Sequence, residues 1–150
     1  MATSATTVLV LNGPNLNLLG TRQPEVYGTS TLKEHLTALE VEAKKCDFVI
    51  ESFQSNSASE LIAQVHGARG RCAAIIINPG AFTHYAWSLS DALAAFDGPV
   101  VEVHLSNPAA REPWRQVSVV APVAIGTIAG FGGYGYVLAI QAVAKHLADG

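Results

Sequence analysis

Residues 12–28 read NGPNLNLLGTRQPEVYG and follow the apolar run TTVLVL. Turn formers fill this span, and turn chemistry accounts for the Asn, Gly and Pro residues. The span also carries Asn15, Arg22 and Tyr27. These either decorate the turn or hold a reactive group. A phenol titrates near pH 10 and is a poor base at neutrality. A guanidinium beside it favours the phenolate. Arg22 and Tyr27 stand five apart in one loop, close enough to meet and form a base for a carbon acid. Glu102 and His104 stand two apart in a strand-like stretch, so their side chains share a face. A carboxylate there fixes the imidazole tautomer and supports its cationic form, as a general acid requires. Asn15 could hold a water, or an oxygen bearing developing charge. The set suits removal of a proton from carbon, stabilisation of an enolate and protonation of a leaving hydroxyl. That is the dehydration of a hydroxy ketone. Each residue also has a plainer reading: Tyr27 as loop packing, Glu102–His104 as a structural hydrogen bond, Asn78 before Pro79-Gly80 as a turn.

A repeating pattern of elements must position these groups. TTVLVLN (6–12) reads as a buried strand. TLKEHLTALEVEAKKC (31–46) reads as a helix, with Leu32, Leu36, Leu39 and Ala43 on one face and a Thr31/Glu34 capping box. DFVIESFQS (47–55) is a strand, and SASELIAQVHGARG (57–70) is a helix opened by a Ser57/Glu60 capping box and closed by Gly70. CAAIIIN (72–78) is a strand, 85–97 a helix, PVVEVHL (99–105) a strand, AIGTIAG (124–130) the last strand and 132–148 the last helix. Five apolar strands alternating with helices predict a parallel sheet covered on both faces. Right-handed crossovers make it a flavodoxin-like, doubly wound α/β sheet of five strands. At 150 residues it forms a single domain, with residues 1–5 expected to be a loose tail. Strands 1 and 3 then flank the topological switch point, where ligands bind beyond the strand ends. Strand 1 is followed by Asn12, Asn15, Arg22 and Tyr27, and strand 3 by NPGAFTH with Asn78 and His84. Strand 4 ends in Glu102 and His104, then LSN, with Arg111 and Arg115 beyond. Polar groups therefore converge on one crevice.

The totals exclude several classes. A formal net charge of −3 leaves no electrostatic footprint for nucleic acid or an anionic membrane. No apolar run approaches a membrane span, and MATSATT lacks the regions of a signal peptide. Cys46 and Cys72 have neither metal spacing nor a CxxC arrangement. They read as free thiols of a reducing compartment, and the cytoplasm is the expected location. His35, His66 and His146 fall on predicted helices as surface or packing residues. All four lysines also fall on predicted helices, which disfavours a Schiff base. Gly130, Gly132 and Gly135 spell GxGxxG, but no further βαβ unit follows. A tight turn with close helix packing accounts for them better than a dinucleotide. A flavin- or nucleotide-binding module, and an idle relative kept for assembly, stand as alternatives to an enzyme.

LNGPNLNLLGTRQPEVYG, FQSNSASELI, INPGAFTH, VEVHLSN and GFGGYGY, in this order over residues 7–148, resemble the successive motifs of type II 3-dehydroquinate dehydratase. The resemblance implies a flavodoxin-like, cofactor-free lyase that converts 3-dehydroquinate to 3-dehydroshikimate by anti elimination of water through an enolate. It would serve aromatic amino acid biosynthesis or quinate breakdown, and assemble as trimers grouped into a dodecamer. It further implies that Tyr27 takes the proton next to the ketone and that Arg22 keeps Tyr27 ionised. Asn15 serves the enolate through a water, His104 protonates the departing hydroxyl and Glu102 orients it. Leu105 and Ser106 take the substrate carboxylate, expected beside a helix N-terminus. Asn78, His84 and Arg115 hold carboxylate and ring hydroxyls, and Asp91 reaches a neighbouring subunit's site. The stretch 20–28 would be a lid. The chain departs from the family's usual pattern at Tyr85-Ala86-Trp87, at Ser90 and at Pro113-Trp114. These departures bear on subunit contacts and on the reach of Arg115.

Overall fold

The computed structural model describes residues 5–150, so the expected tail lies outside the described residues except for Ala5. In chain order the elements are β1 (Thr6–Asn12), α1 (Pro24–Tyr27), α2 (Leu32–Lys45), β2 (Phe48–Gln54), α3 (Ala58–Ala68), β3 (Ala74–Asn78), α4 (Trp87–Ala94), β4 (Val100–His104), β5 (Gly126–Ala129) and α5 (Tyr134–Asp149). The sheet is parallel throughout, in the order β2-β1-β3-β4-β5. This is the flavodoxin-like order.

The side-chain period of two explains the layers. Val8 and Val10 of β1 pack with Leu39 and Ala43 of α2 and Ile140 and Val143 of α5. Leu9 and Leu11 point the other way, onto Leu61 and Val65 of α3 and Leu89 and Leu93 of α4. Strands β3 and β4 are buried at every position, as strands covered on both faces must be. Among the described residues no helix is long and apolar enough to cross a membrane.

Element ends differ from the sequence expectation in instructive ways. Thr31 and Glu34 form the full capping box. At Ser57 only half of it forms. Ser57 Oγ accepts from Glu60 N, but Glu60 Oε2 accepts from Ser55 Oγ instead of returning to the cap backbone. Asp47, expected to open β2, takes the left-handed conformation that ends α2 (φ 59°), so the strand starts at Phe48. The helix expected over 85–97 shortens to α4, because residues 80–84 coil into a 3-10 segment before it. The one-turn helix α1 was not expected. Gln23 and Gly28 flank it at φ 38° and 82°.

Candidate active site

The strand ends at the switch point form the crevice floor. Asn12 of β1 pairs in register with Asn78 of β3. Gly13 N donates to the Asn78 carbonyl at 2.8 Å, and a Cβ on Gly13 would lie 2.3 Å from the Pro79 oxygen. Only glycine lets the two loops approach so closely. Beneath them, the fully buried Tyr136 hydroxyl donates to Asn12 Oδ1 and accepts from Asn78 Nδ2 at 3.2 Å. Asn78 Oδ1 accepts from Gly80 N at 3.2 Å. The Asn78 amide is thus held at both atoms while it lines the crevice. Burial pushes the Tyr136 phenol well above its usual range, so it serves here as a neutral hydrogen-bonding group. Tyr136→Phe leaves two buried amides short of a partner. It should cost about 1–3 kcal/mol of stability in denaturant unfolding. A smaller change would mean that the amides find other partners.

One wall carries the phenol. Tyr27 sits at the end of α1, half-buried, with its hydroxyl accepting from Arg111 Nη1 at 2.9 Å. The Arg22 guanidinium carbon lies 4.7 Å from the Tyr27 ring centroid, and that of Arg111 lies 5.2 Å away. Arg22 and Tyr27 do meet, but the cation on the hydroxyl is Arg111. Arg111 Nη1 also donates to Ser106 Oγ at 3.0 Å, so one guanidinium spans the phenol and the hydroxyl expected to bind carboxylate.

The same crevice carries the imidazole of His104. Glu102 is fully buried, and its Oε2 accepts from His104 Nε2 and Thr83 Oγ1, each at 2.5 Å. Ser118 Oγ reaches both carboxylate oxygens at 3.0 Å, and Thr127 Oγ1 donates to Oε1 at 3.3 Å. A carboxylate so placed can only accept, so Nε2 is protonated, and Nδ1 is the His104 nitrogen left to exchange a proton in the crevice that His104 lines. Burial pushes the Glu102 carboxyl up. The hydrogen bonds from His104 and Thr83, the charge of His104 and the bond from Ser118 outweigh it and hold the carboxyl below the usual value of 4.5. A carboxyl lowered by folding stabilises the fold fully above its unfolded value. That increment shrinks as pH falls below about 4.5 and vanishes below the folded value. Glu102→Gln should therefore cost about 1–3 kcal/mol near neutrality. Its stability should approach that of the natural protein as pH drops below 4.5, and parallel curves would contradict this account.

The rim completes the crevice. Asn15 takes φ 69° and donates its backbone N–H to Asn56 Oδ1 at 3.0 Å, which leaves its side chain on the crevice. His84 Nδ1 donates to the Val117 carbonyl at 2.7 Å. Arg115 Nε donates to Glu112 Oε2 at 2.7 Å, and Glu112 Oε1 lies 3.8 Å from Arg111 Nε. The hydrogen bond from Arg115 holds the Glu112 carboxyl below the usual range. Leu105 is buried beside Ser106. The helix N-terminus expected next to them is a 3-10 turn of three residues (Pro108–Ala110), after which Arg111 reaches the Tyr27 hydroxyl.

Of the expected residues, Asn15, Arg22, Tyr27, Asn78, His84, His104, Leu105, Ser106 and Arg115 line one crevice, with Glu102 directly behind His104. Asp91 does not; it is exposed on α4, away from this crevice. Sequence reasoning did not assign Arg111 a role, nor Thr83, Ser118 and Thr127. Gly130 and Gly132 take φ 96° and 60° in the turn before α5, and Gly135 packs against Val103 and Ile128. Among the described residues no group of three or more His, Cys, Asp or Glu is placed to hold a metal ion.

The model of the family described as Dehydroquinase class II matches residues 6–144. The chain is 51% identical over 142 residues to the 3-dehydroquinate dehydratase of Ruegeria pomeroyi, covering 95% of each chain. It is 52% identical over 139 residues to 3-dehydroquinate dehydratase 2 of Pseudomonas aeruginosa, covering 93% of this chain and 94% of that one. The crystal structure of a type II dehydroquinase from Propionibacterium acnes superposes with a TM-score of 0.90 at 39% identity, over 96% of this chain and 99% of that one.

Proposed function

The chain belongs to the class II dehydroquinase family, a family of hydro-lyases that dehydrate 3-dehydroquinate to 3-dehydroshikimate, and from that premise we propose how its crevice carries out that reaction. Tyr27, as phenolate, takes the proton from the ring carbon next to the ketone. Arg111 on its oxygen and Arg22 against its ring offset the negative charge of the base. Electrons move into the ketone to give an enolate, whose oxygen is met by a water held by Asn15. The enolate then expels the hydroxyl, which takes a proton from His104 Nδ1. Glu102 keeps that imidazole oriented and offsets its charge. Each turnover leaves Tyr27 with one proton more and His104 with one fewer, so a proton returns between them, through water, before the next. Leu105 and Ser106 take the carboxylate, while Asn78, His84 and Arg115 hold carboxylate and ring hydroxyls. Residues 20–28 close over the substrate and exclude water, which strengthens every charge interaction inside.

The observation that carries this reading is one crevice lined by two unlike pairs. One is a phenol with a guanidinium, and the other is an imidazole with a buried carboxylate behind it. The test uses chelator-treated protein with 3-dehydroquinate, followed by the ultraviolet absorbance of the conjugated enone, and repeats it after borohydride treatment. Absorbance should rise after both treatments. No rise from folded protein would end the proposal.

The assembly proposed is a homo-oligomer of trimers grouped into a dodecamer, working in the cytoplasm. Tyr85, Trp87 and Phe131 present exposed apolar surface suited to such contacts, and Asp91 is free to reach a neighbour's crevice. Both cysteines are unpaired, in keeping with a reducing compartment.

A further inference from the structure

We propose that Trp114 is a positioning residue for this reaction: from outside the crevice, its indole fixes His84 and Arg115, two side chains through which the crevice holds substrate. The inference rests on the substrate contacts given above. Trp114 is 52% exposed and does not line the crevice, whereas His84 and Arg115 do. The Arg115 guanidinium carbon lies over the indole, 4.0 Å from its centroid. The His84 ring meets the indole at 5.2 Å and 88°, edge to face. A cation over an aromatic face and an edge-on ring pair are both attractive. One indole therefore braces both groups.

Each braced group has a second anchor that decides which atoms remain free. His84 gives its Nδ1 proton to the Val117 carbonyl, so Nε2 is left for a ligand. Arg115 gives Nε to Glu112, so its two terminal nitrogens are left. Without the indole, each side chain keeps a single anchor and recovers rotamer freedom that binding must then remove again. Neither His84 nor Arg115 exchanges the reacting protons in this mechanism. The loss therefore falls on binding and spares the chemical step. The indole is half in solvent, so removing it opens no core cavity and stability should hold.

Trp114→Ala should raise KM for 3-dehydroquinate about 3- to 10-fold, with kcat within roughly twofold of the natural protein. Melting temperature and solution mass should be unchanged. Trp114→Phe, which restores an aromatic face, should bring KM back to within about twofold. In a Trp87→Phe background Trp114 is the remaining tryptophan, and its fluorescence should shift on adding 3-dehydroshikimate. An unmoved KM in an active Trp114→Ala protein overturns the proposal, as does silent fluorescence at saturating product. A KM change that comes with altered solution mass also overturns it, because Trp114 would then pack against another copy. Absence of turnover in the natural protein overturns the reading of the reaction itself, and this proposal with it.

Discussion

Tyr27→Phe should lower kcat on the order of 10²–10⁴-fold, the usual worth of a general base, while KM stays within about threefold of the natural value. The substitution removes one oxygen. The ring remains under Arg22, and α1 keeps its backbone bonds from Val26 and Tyr27 to Gln23. Arg111 loses its phenolic acceptor but keeps Ser106 at 3.0 Å, so the expected carboxylate site survives. Loss of rate without loss of binding would assign the phenolic oxygen to the chemical step. Near-normal turnover would remove Tyr27 from that role and return it to loop packing.

His104→Ala should lower kcat by a similar 10²–10⁴-fold, but at a different step. With Tyr27 intact, the proton still leaves carbon and the enolate still forms; the hydroxyl no longer has a donor. In deuterated water this variant should exchange the carbon-bound proton of 3-dehydroquinate faster than it makes product. Tyr27→Phe should do neither. Mass spectrometry of recovered substrate distinguishes the two, and equal exchange in both variants would contradict the division of labour. The His104 variant also strips Glu102 of one of its 2.5 Å donors, leaving Thr83, Ser118 and Thr127 to hold the buried carboxylate. A modest drop in stability should accompany the kinetic loss. Glu102→Gln then separates orientation from charge, since it keeps the shape of the acceptor.

Much of this site could be read from the chain because strand ends are local facts. The run CAAIIIN cannot be a half-solvated strand, so NPGAFTH after it had to emerge at a sheet edge, and VEVHLSN likewise. Once β1 and β3 neighbour each other, Asn12 and Asn78 must lie side by side. Arg111 escaped because its partner is 84 residues away and no spacing rule connects them. The one available signal was an arginine just past a strand end. Arg115 shared it, but its local ties run to Glu112 and Trp114. The donors of Glu102 escaped for the same reason. Thr83, Ser118 and Thr127 come from three separate segments, and they meet at Glu102 only once β3, β4 and β5 lie side by side. Asp47 reads as a strand opener by position, and becomes a helix stop because its short side chain tolerates the left-handed turn.

The segment over the crevice has one more property. Its backbone bonds are local: Thr21 and Arg22 to Leu18, Val26 and Tyr27 to Gln23, Gly28 to Pro24. Among the described residues none ties it to the sheet, so its amides should exchange with solvent at rates unrelated to global unfolding. The long-range polar link of this segment is the bond from Arg111 to the Tyr27 hydroxyl. If Tyr27 is the base proposed above, the latch of the door is the reacting group. A phenolate holds a guanidinium more tightly than a phenol does. The door is then bolted while the base is armed, and slips once the base has taken its proton. Opening is timed by the chemistry rather than by a separate clock.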